Sequence, residues 1–285
     1  MKNILVLGSS GMAGHVITLY LEQNPHLNVT NLARQKKIND STVIIDVGNL
    51  DEFNRYLDKN QFDVIINCIG VLNRSADQHK STAVLMNSYL PHFLENKYSD
   101  SDTRIIHLST DCVFSGKSGG YTEDSFRDGN SFYDRSKALG ELNNDKDLTF
   151  RMSIIGPDMD PEGIGLFNWF MQSTGEIYGY KNAIWNGITT IELAKAVEAA
   201  VFSELTGLYH LIPKEKISKF HLLNLCKKTF DRKDIKIIQY ENPPIDKSLI
   251  NTRTDFCFQV PSYEEMIQNM RVWVHGHKSL YSYYR

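Results

Sequence analysis

Tyr133 and Lys137 stand four residues apart in the stretch SFYDRSKALGELNN, and upstream of them Thr110 directly follows the apolar run TRIIHLS. Read as a helix, the first stretch puts Tyr133 and Lys137 on one face. A phenol with a pKa near ~10 exchanges protons poorly at neutral pH. A neighbouring ammonium favours the phenolate and brings that value down. Thr110, at the carboxyl end of a strand, can orient a carbonyl oxygen while Tyr133 gives that oxygen a proton. A hydride delivered to the same carbon would reduce a ketone to an alcohol. Lys137 has a second use in such a site, gripping the ribose of a nicotinamide cofactor.

A hydride needs a carrier, and the N-terminus has the residues to hold one. The short apolar run NILVLG leads into GSSGMAG, which places Gly8, Gly11 and Gly14 at spacings of three before a helical stretch. In a strand–loop–helix unit the first glycine permits a sharp turn, the second lets backbone N–H groups approach a pyrophosphate, and the third lets helix and strand lie close. The helix then faces the anion with the positive end of its dipole. NAD sites usually place an acid at the end of the second strand, but NLARQKK has Arg34 there, followed by Lys36 and Lys37. A guanidinium suits a ribose 2′-phosphate, which favours NADPH, with NADH as the lesser option. The bland alternative is that the three cations form a solvated loop. Asp46, in IIDV, either accepts a hydrogen bond from an adenine amino group or caps the next turn. Met12, Val47, Cys68 and Gly70 complete the expected cofactor contacts.

The elements that must position these groups alternate. Apolar runs NILVLG, NVTNLA, TVIIDV, FDVIINCIG, TRIIHLS and LTFRMSIIG read as strands. The stretches MAGHVITLYLEQ, LDEFNRYLDKN (with Asp51 near its cap), STAVLMNSYLPHFLENKY and SFYDRSKALGELNN read as helices. This alternation predicts right-handed crossovers and an α/β fold, a doubly wound, Rossmann-type parallel sheet. The expected dinucleotide-binding domain covers 1–155, with 184–203 returning to it. A smaller C-terminal α/β substrate domain takes 156–183 and 204–285. There GLYHLIP and IKIIQY read as strands, the latter followed by a proline-containing loop, and LFNWFMQSTG, SKFHLLNLCKKTF and SYEEMIQNMRVWVHG read as helices.

Composition narrows the function further. The 285 residues are 41% hydrophobic and 23% charged, as in a folded globular protein, and a net charge of −3 gives no pull toward nucleic acid or an anionic membrane. No apolar run approaches the ~18 residues of a membrane span. The four cysteines form no C-x-x-C pair, which argues against zinc or a redox dithiol and fits a reducing cytoplasm; Cys68 reads as a buried free thiol. His275 and His277 lack carboxylate partners at ligand spacing, so no metal is expected.

Gly8, Gly11, Gly14, Thr110, Tyr133 and Lys137 together resemble the extended short-chain dehydrogenase/reductases. STDCVFSG, YTED, YDRSKALGE and FRMSIIG are similar to the dTDP-4-dehydrorhamnose reductase group, strongly over residues 1 to about 200 and more weakly through GLYHLIP and ISKFHLLNL. The resemblance implies a catalytic set of Thr110, Tyr133 and Lys137. It also implies NAD(P)H reduction of the C4 ketone of a nucleotide-linked 6-deoxyhexose. Thr110, Asp111, Cys112 and Trp185 form the expected substrate contacts. Two departures matter. Cys112 replaces the usual tyrosine of the group, and it also stands where related 4,6-dehydratases carry the glutamate of their elimination step, so dehydratase activity is not expected. WNGITTIEL replaces a proline-rich stretch; Trp185, Asn186 and Thr189 either touch a different sugar or pack. The resemblance at this point leans toward UDP-linked 2-acetamido-2,6-dideoxy-4-ketohexoses of surface-polysaccharide synthesis. A sugar-nucleotide epimerase holding NAD tightly, and a non-catalytic NADP-binding regulatory subunit, are the alternatives.

Other candidates carry paired readings. Asn87 either props the proton relay or caps a helix. Arg74, in VLNRSADQ, either contacts a phosphate or lies in a solvated loop. The loop 115–124 (SGKSGGYTED) closes over the sugar as a lid, where Glu123 either binds a hydroxyl or holds a turn. His107 is a satisfied core histidine. Trp169 and Phe170 line the substrate pocket from an apolar helix face. The aromatic tail 279–285 (SLYSYYR) is either a homodimer contact or a packed end.

Overall fold

The structure, a computed structural model, describes residues 1–242 and 244–284. Two residues singled out from the sequence, Pro243 of the C-terminal loop and Arg285 of the aromatic tail, lie outside these.

The first half of the chain alternates as the pattern requires. It runs β1 (Lys2–Leu7), α1 (Met12–Leu21), β2 (Leu27–Ala33), β3 (Thr42–Ile44), α2 (Leu50–Lys59), β4 (Val64–Asn67), α3 (Asn73–Gln78), α4 (Lys80–Ala83), α5 (Leu90–Lys97), β5 (Arg104–Thr110), α6 (Phe132–Leu139) and β6 (Leu148–Met152). The second half contributes β7 (Ile154–Ile155), α7 (Leu166–Gln172), β8 (Gly175–Tyr180), β9 (Ala183–Trp185), β10 (Ile188–Thr189), α8 (Thr190–Val201) and β11 (Gly207–His210). It ends with β12 (Ile217–Ser218), α9 (Lys219–Thr229), β13 (Ile235–Tyr240), β14 (Ile245–Asp246) and α10 (Tyr263–Gly276).

Seven strands form one sheet in the order β11-β6-β5-β4-β1-β2-β3, every neighbouring pair parallel. All four residues of β4 and of β11 are buried, the mark of strands covered on both faces. One core layer packs Val16, Ile17 and Leu21 of α1 with Ala196, Val197 and Ala200 of α8. The other packs Phe53 and Leu57 of α2 with Leu90 and Leu94 of α5. The order reverses between β1 and β4, and such a switch opens a crevice beyond the carboxyl ends of the strands. Thr110 ends β5 at that edge, and the glycine loop leaves β1 there.

α8 packs against α1 in the first core layer. β11 then pairs along β6, so part of the 204–285 segment also belongs to the large sheet. Smaller sheets, β12-β9-β14 and β13-β8, lie outside it. Local differences from the sequence reading have plain causes. The third strand stops at Ile44, because Asp46 turns the chain by accepting from the Gly48 amide at 2.9 Å. Helix α2 is capped by Asn49, whose side chain accepts from Glu52 N, while Asp51 sits in the first turn. The stretch 71–78 is not a solvated loop: α3 occupies most of it, and its Ala76 packs with Ala83 and Tyr133. Residues Val84–Tyr89 between α4 and α5 form a π-helical turn.

Candidate active site

Two positions of the cradle at the end of β1 require glycine. Gly8 has φ +79°, and a Cβ on Gly14 would lie 2.1 Å from the Gly8 carbonyl oxygen. Gly11 caps α1 without any side-chain hydrogen bond, so the first-turn amides of the helix have no side chain to satisfy them. Those amides and the close approach of backbone suit a pyrophosphate. Arg34, the first residue after β2, is exposed and forms no ion pair among the described residues, and Lys36 and Lys37 are exposed beside it. Asp46 Oδ1 caps the turn at Gly48, and the side chain is exposed. Met12 is half-buried, Val47 is buried, and Gly70 is exposed beyond β4. Cys68 is a free, half-buried thiol that donates its backbone N–H to Leu7 O at 3.1 Å; burial pushes the thiol up to about 12, so it is inert.

Helix α6 is started by a reciprocal cap: Ser131 Oγ accepts from Asp134 N, and Asp134 Oδ2 accepts from Ser131 N, both at 3.0 Å. This fixes Tyr133 in the first turn, where the Thr110 side chain favours its phenolate. Thr110 Oγ1 also accepts from Cys112 N at 3.1 Å and donates to Asp111 Oδ1 at 3.3 Å. The ammonium of Lys137 lies lower, donating to Leu108 O at 2.7 Å and lying 3.3 Å from His107 Nε2.

One electrostatic expectation is overturned by this arrangement. Burial pushes the Tyr133 phenol well above its ordinary value and the Cys112 side chain adds to the rise, with only the Thr110 hydroxyl favouring the phenolate. Lys137 is not among the main groups that act on it; that ammonium donates to the β5 backbone. Burial instead lowers Lys137 to about 8, against the pull of Glu141 and Cys68. His107 is the core histidine expected, 0% exposed with Nδ1 3.2 Å from Asn67 Nδ2. It is also the floor under Lys137, and burial and that lysine drive its pKa well down.

Two further groups hold the triad in place. Asn87, buried in the π-helical turn, accepts from Val71 N at 2.8 Å and donates to Val71 O and to Ser136 Oγ, both at 2.9 Å. It thereby ties the outlet of β4 to α6 rather than touching Lys137. Glu141, beyond α6, accepts two bonds from the Arg151 fork at 2.7 and 2.6 Å, one from Ser109 Oγ at 2.6 Å and one from Arg127 at 3.0 Å. Burial raises its carboxyl, but those cations and hydrogen bonds outweigh the rise and hold it below its ordinary range. Nothing in the spacing of Glu141 and Arg151 announces this pair; a buried position for both is the only signal.

Several sequence candidates have structural jobs. Glu123 accepts from Thr252 Oγ1 at 2.7 Å, Thr252 N at 3.1 Å and His210 N at 3.2 Å, so it fastens loops and is not free for a sugar. The loop 115–124 is likewise anchored, with Tyr121 stacked on Phe114 at 4.2 Å and paired to Leu249, which does not suit a lid. Arg74 is exposed on α3. Phe170 belongs to the core while Trp169 is 43% exposed, so the two do not share a pocket wall. Asn186 exchanges two bonds of 2.8 Å with the backbone of Leu249, and Thr189 caps α8. The aromatic tail is a packed end: Tyr281 Oη meets His15 Nε2 at 2.8 Å and Trp273 Nε1 at 3.0 Å, and Tyr283 and Tyr284 bond the backbone of Asp158.

The C-terminal segments bring three side chains that carry charge or an aromatic face toward Asp111 and Cys112. Trp185 is 2% exposed, and the ammonium of Lys219 stands 3.7 Å from its ring centroid. Lys247 and Lys219 both sense the charge of Asp111. Burial pushes the Cys112 thiol up to about 11, as does Asp111, which leaves it a packing group rather than a nucleophile. A separate cavity of about 610 Å³ lies on another face of α6, against Arg135, Glu141 and Arg151, away from Tyr133 and Lys137.

Residues 1–156 match the family model described as the RmlD substrate binding domain. This chain belongs to that family. Among RmlD-type relatives and neighbours, a probable low-salt glycan biosynthesis reductase, Agl14 of Haloferax volcanii, is 27% identical over 139 residues; the match spans 48% of this chain and about half, 46%, of that protein. The fold is similar to a dTDP-4-dehydrorhamnose reductase of Bacillus anthracis solved with NADP, at TM-score 0.80 and 18% identity over 95% of this chain and 99% of that one. It is also similar to a UDP-N-acetylglucosamine 4-epimerase of Methanobrevibacter ruminantium, at TM-score 0.78 and 17% identity over 96% and 98%. At such identities these two neighbours establish the fold alone.

Proposed function

We propose that this RmlD-family protein is an NADPH-dependent reductase of the C4 ketone of a nucleotide-linked 4-keto-6-deoxyhexose, dTDP-4-dehydrorhamnose or a UDP-linked 2-acetamido-2,6-dideoxy analogue. What supports the reading is the position of Thr110 at the carboxyl end of β5 and of Tyr133 in the first turn of α6, with the Lys137 ammonium held on the β5 backbone beneath, in the crevice that the glycine cradle enters. In this reading the cradle holds the cofactor pyrophosphate and Arg34 its 2′-phosphate. When bound, the cofactor supplies the hydride. Thr110 and Tyr133 hold the carbonyl oxygen, and Tyr133 gives it a proton. A phenol kept protonated by burial suits that direction of reaction, since the alkoxide formed at the substrate oxygen is far the stronger base. The thiol of Cys112, pushed up to about 11, is a poor substitute for the carboxylate that an elimination would need. All four cysteines are free, which supports a reducing cytoplasm as the setting.

The test mixes the purified protein with NADPH and a panel of dTDP- and UDP-linked 4-keto-6-deoxysugars. Loss of the nicotinamide absorbance with at least one member is expected. Protein that binds NADPH yet oxidises it with none of them would overturn the proposal.

A further inference from the structure

Asn67 and His107 lie beneath the cleft and have no role in the chemistry above. They are paired residues of β4 and β5, so their side chains stand side by side on one face of the sheet. Both are 0% exposed and Lys137 is 4% exposed, so their polar atoms must find partners within the protein. The contacts form a row. Asn67 Oδ1 accepts from Ile69 N at 3.1 Å, Asn67 Nδ2 lies 3.2 Å from His107 Nδ1, and His107 Nε2 lies 3.3 Å from the Lys137 nitrogen. At the far end Lys137 donates to Leu108 O at 2.7 Å.

The plain alternative is that His107 is a packing ring with no effect on the lysine. Counting donors and acceptors speaks against it. A neutral imidazole has one N–H and one lone pair, and burial keeps this ring neutral. The Ile69 N–H fixes the Asn67 oxygen, so the Asn67 NH₂ is turned toward His107 and needs the lone pair on Nδ1. The ring proton then sits on Nε2 and points at Lys137. The opposite form would set Nδ1–H against the Asn67 NH₂. Turning that amide over would set its NH₂ against the Ile69 N–H. The form that satisfies the row therefore ends on the lysine, whose ammonium has three N–H groups and no lone pair. An amine there would close the row, accepting from His107 while donating to Leu108 O.

We propose that His107 is a positioning residue for Lys137: Asn67 fixes its ring in the Nε2–H form, and that N–H, aimed at the lysine nitrogen, loosens one proton of the ammonium. The inference rests on the reductase reading, in which Lys137 belongs to the reacting set. Two other groups act on Lys137, the Glu141 carboxylate beyond α6 and the Cys68 thiol beyond β4, and both pull the other way. Tyr133, one turn away on α6, stays a neutral phenol. Burial outweighs that pull and brings Lys137 to about 8; the His107 N–H acts in the same sense as burial. Lys137 therefore gives its proton to solvent and loses its charge as pH rises through that value. Turnover should fall along the same limb, because the phenolate that Tyr133 leaves behind is matched by a cation only while Lys137 holds its proton.

Nuclear magnetic resonance on the NADP⁺-loaded protein tests this without needing turnover. The ring nitrogen signals of His107 are those lost in His107→Gln, and the side-chain signals of Lys137 are those lost in Lys137→Met. Wild type is expected to show a protonated Nε2 and a bare Nδ1, with Lys137 titrating at about 8. Asn67→Asp offers Nδ1 an acceptor, so the ring should change to its Nδ1–H form and the Lys137 midpoint should rise by about one pH unit or more. His107→Gln, whose amide can keep both bonds, should leave the midpoint in place. Where a ketosugar is turned over, the alkaline limb of kcat should move with the midpoint. A wild-type ring in the Nδ1–H form overturns the inference even where the variants do not fold. So does an Asn67→Asp midpoint that rises while the ring stays Nε2–H, since that reports the added charge alone. So does one that stays put when the ring changes. A protein that reduces a ketosugar with an Nδ1–H ring keeps its reductase reading and loses this role for His107. One that shows the Nε2–H ring but oxidises no NADPH keeps the tautomer and loses the reductase.

Discussion

Tyr133 and Lys137 were placed on one helix face by their spacing alone, and α6 puts them there. What spacing could not reveal is how deep they lie. Tyr133 is 7% and Lys137 4% exposed, and at that depth desolvation outweighs any mutual attraction, raising the phenol and lowering the ammonium. Glycines at fixed offsets and a Tyr–Lys pair are legible because local geometry dictates them. Lys219 and Lys247 were not, because only the tertiary fold brings segments so far along the chain toward Asp111. At this scale the first prediction concerns the proton. Tyr133→Phe keeps the ring that packs on Ala76 and Ala83 and removes only the hydroxyl. Turnover should fall by about 10²–10⁴-fold, the usual contribution of a positioned acid, while NADPH affinity stays within about twofold. Steady-state rates and fluorescence titration of the nucleotide check both halves; wild-type turnover would remove Tyr133 from the reaction.

The elements were readable where period and boundary residues agree. Buried runs marked the strands of the large sheet, and the Ser131 cap marks the start of α6. β8 escaped because only Ile177 and Gly179 of its six residues are buried and it has two glycines, so its alternation has few side chains to carry it. The π-helical turn at Val84–Tyr89 escaped because one shifted backbone register leaves no trace in composition. It matters nonetheless, since Asn87 within it links β4 to α6. The strongest tie between elements is Glu141–Arg151, where the loop after α6, β6 and, through Ser109, β5 share one buried charge network. Removing one partner of a buried pair costs about 3–5 kcal/mol. Arg151→Leu should therefore destabilise the protein by about that much in urea unfolding, and so should Glu141→Leu. The double variant should lose clearly less than the two single losses added together, as coupled residues do. Strict additivity would show that the two act independently.

Across the whole molecule, chain ends and distant segments are locked together by buried histidines. His15 in α1 bonds Tyr281 of the tail, His107 in β5 touches Lys137, and His210 in β11 meets Arg151 at 2.9 Å and Ile250 O at 2.8 Å. All three are 0% exposed. Burial is the main cause that lowers each: His15 to about 4, His210 to about 4 with Arg151 adding to the drop, and His107 well down with Lys137 adding to it. In the unfolded chain each regains a pKa near ~6.5. As pH falls below that value the unfolded state takes up protons that the folded state refuses, so stability is present above it and lost on acidification toward 4. Each histidine contributes a loss of about 1.4 kcal/mol by pH 5.5, hence roughly 4 kcal/mol for the three. Asp111 and Asp158, raised by burial, work in the opposite sense, since protons they take up in the folded state offset part of this loss, so roughly 4 kcal/mol is its ceiling; Glu123 and Glu141 are held below their ordinary range. Urea midpoints measured at pH 7.5 and 5.5 should differ by that free energy at constant m-value. An unchanged midpoint would mean that the rings together accept protons in the folded protein, and a loss near two-thirds of that figure that one of them does. The seam between the tail and α1, held through His15, would then be the first place to look.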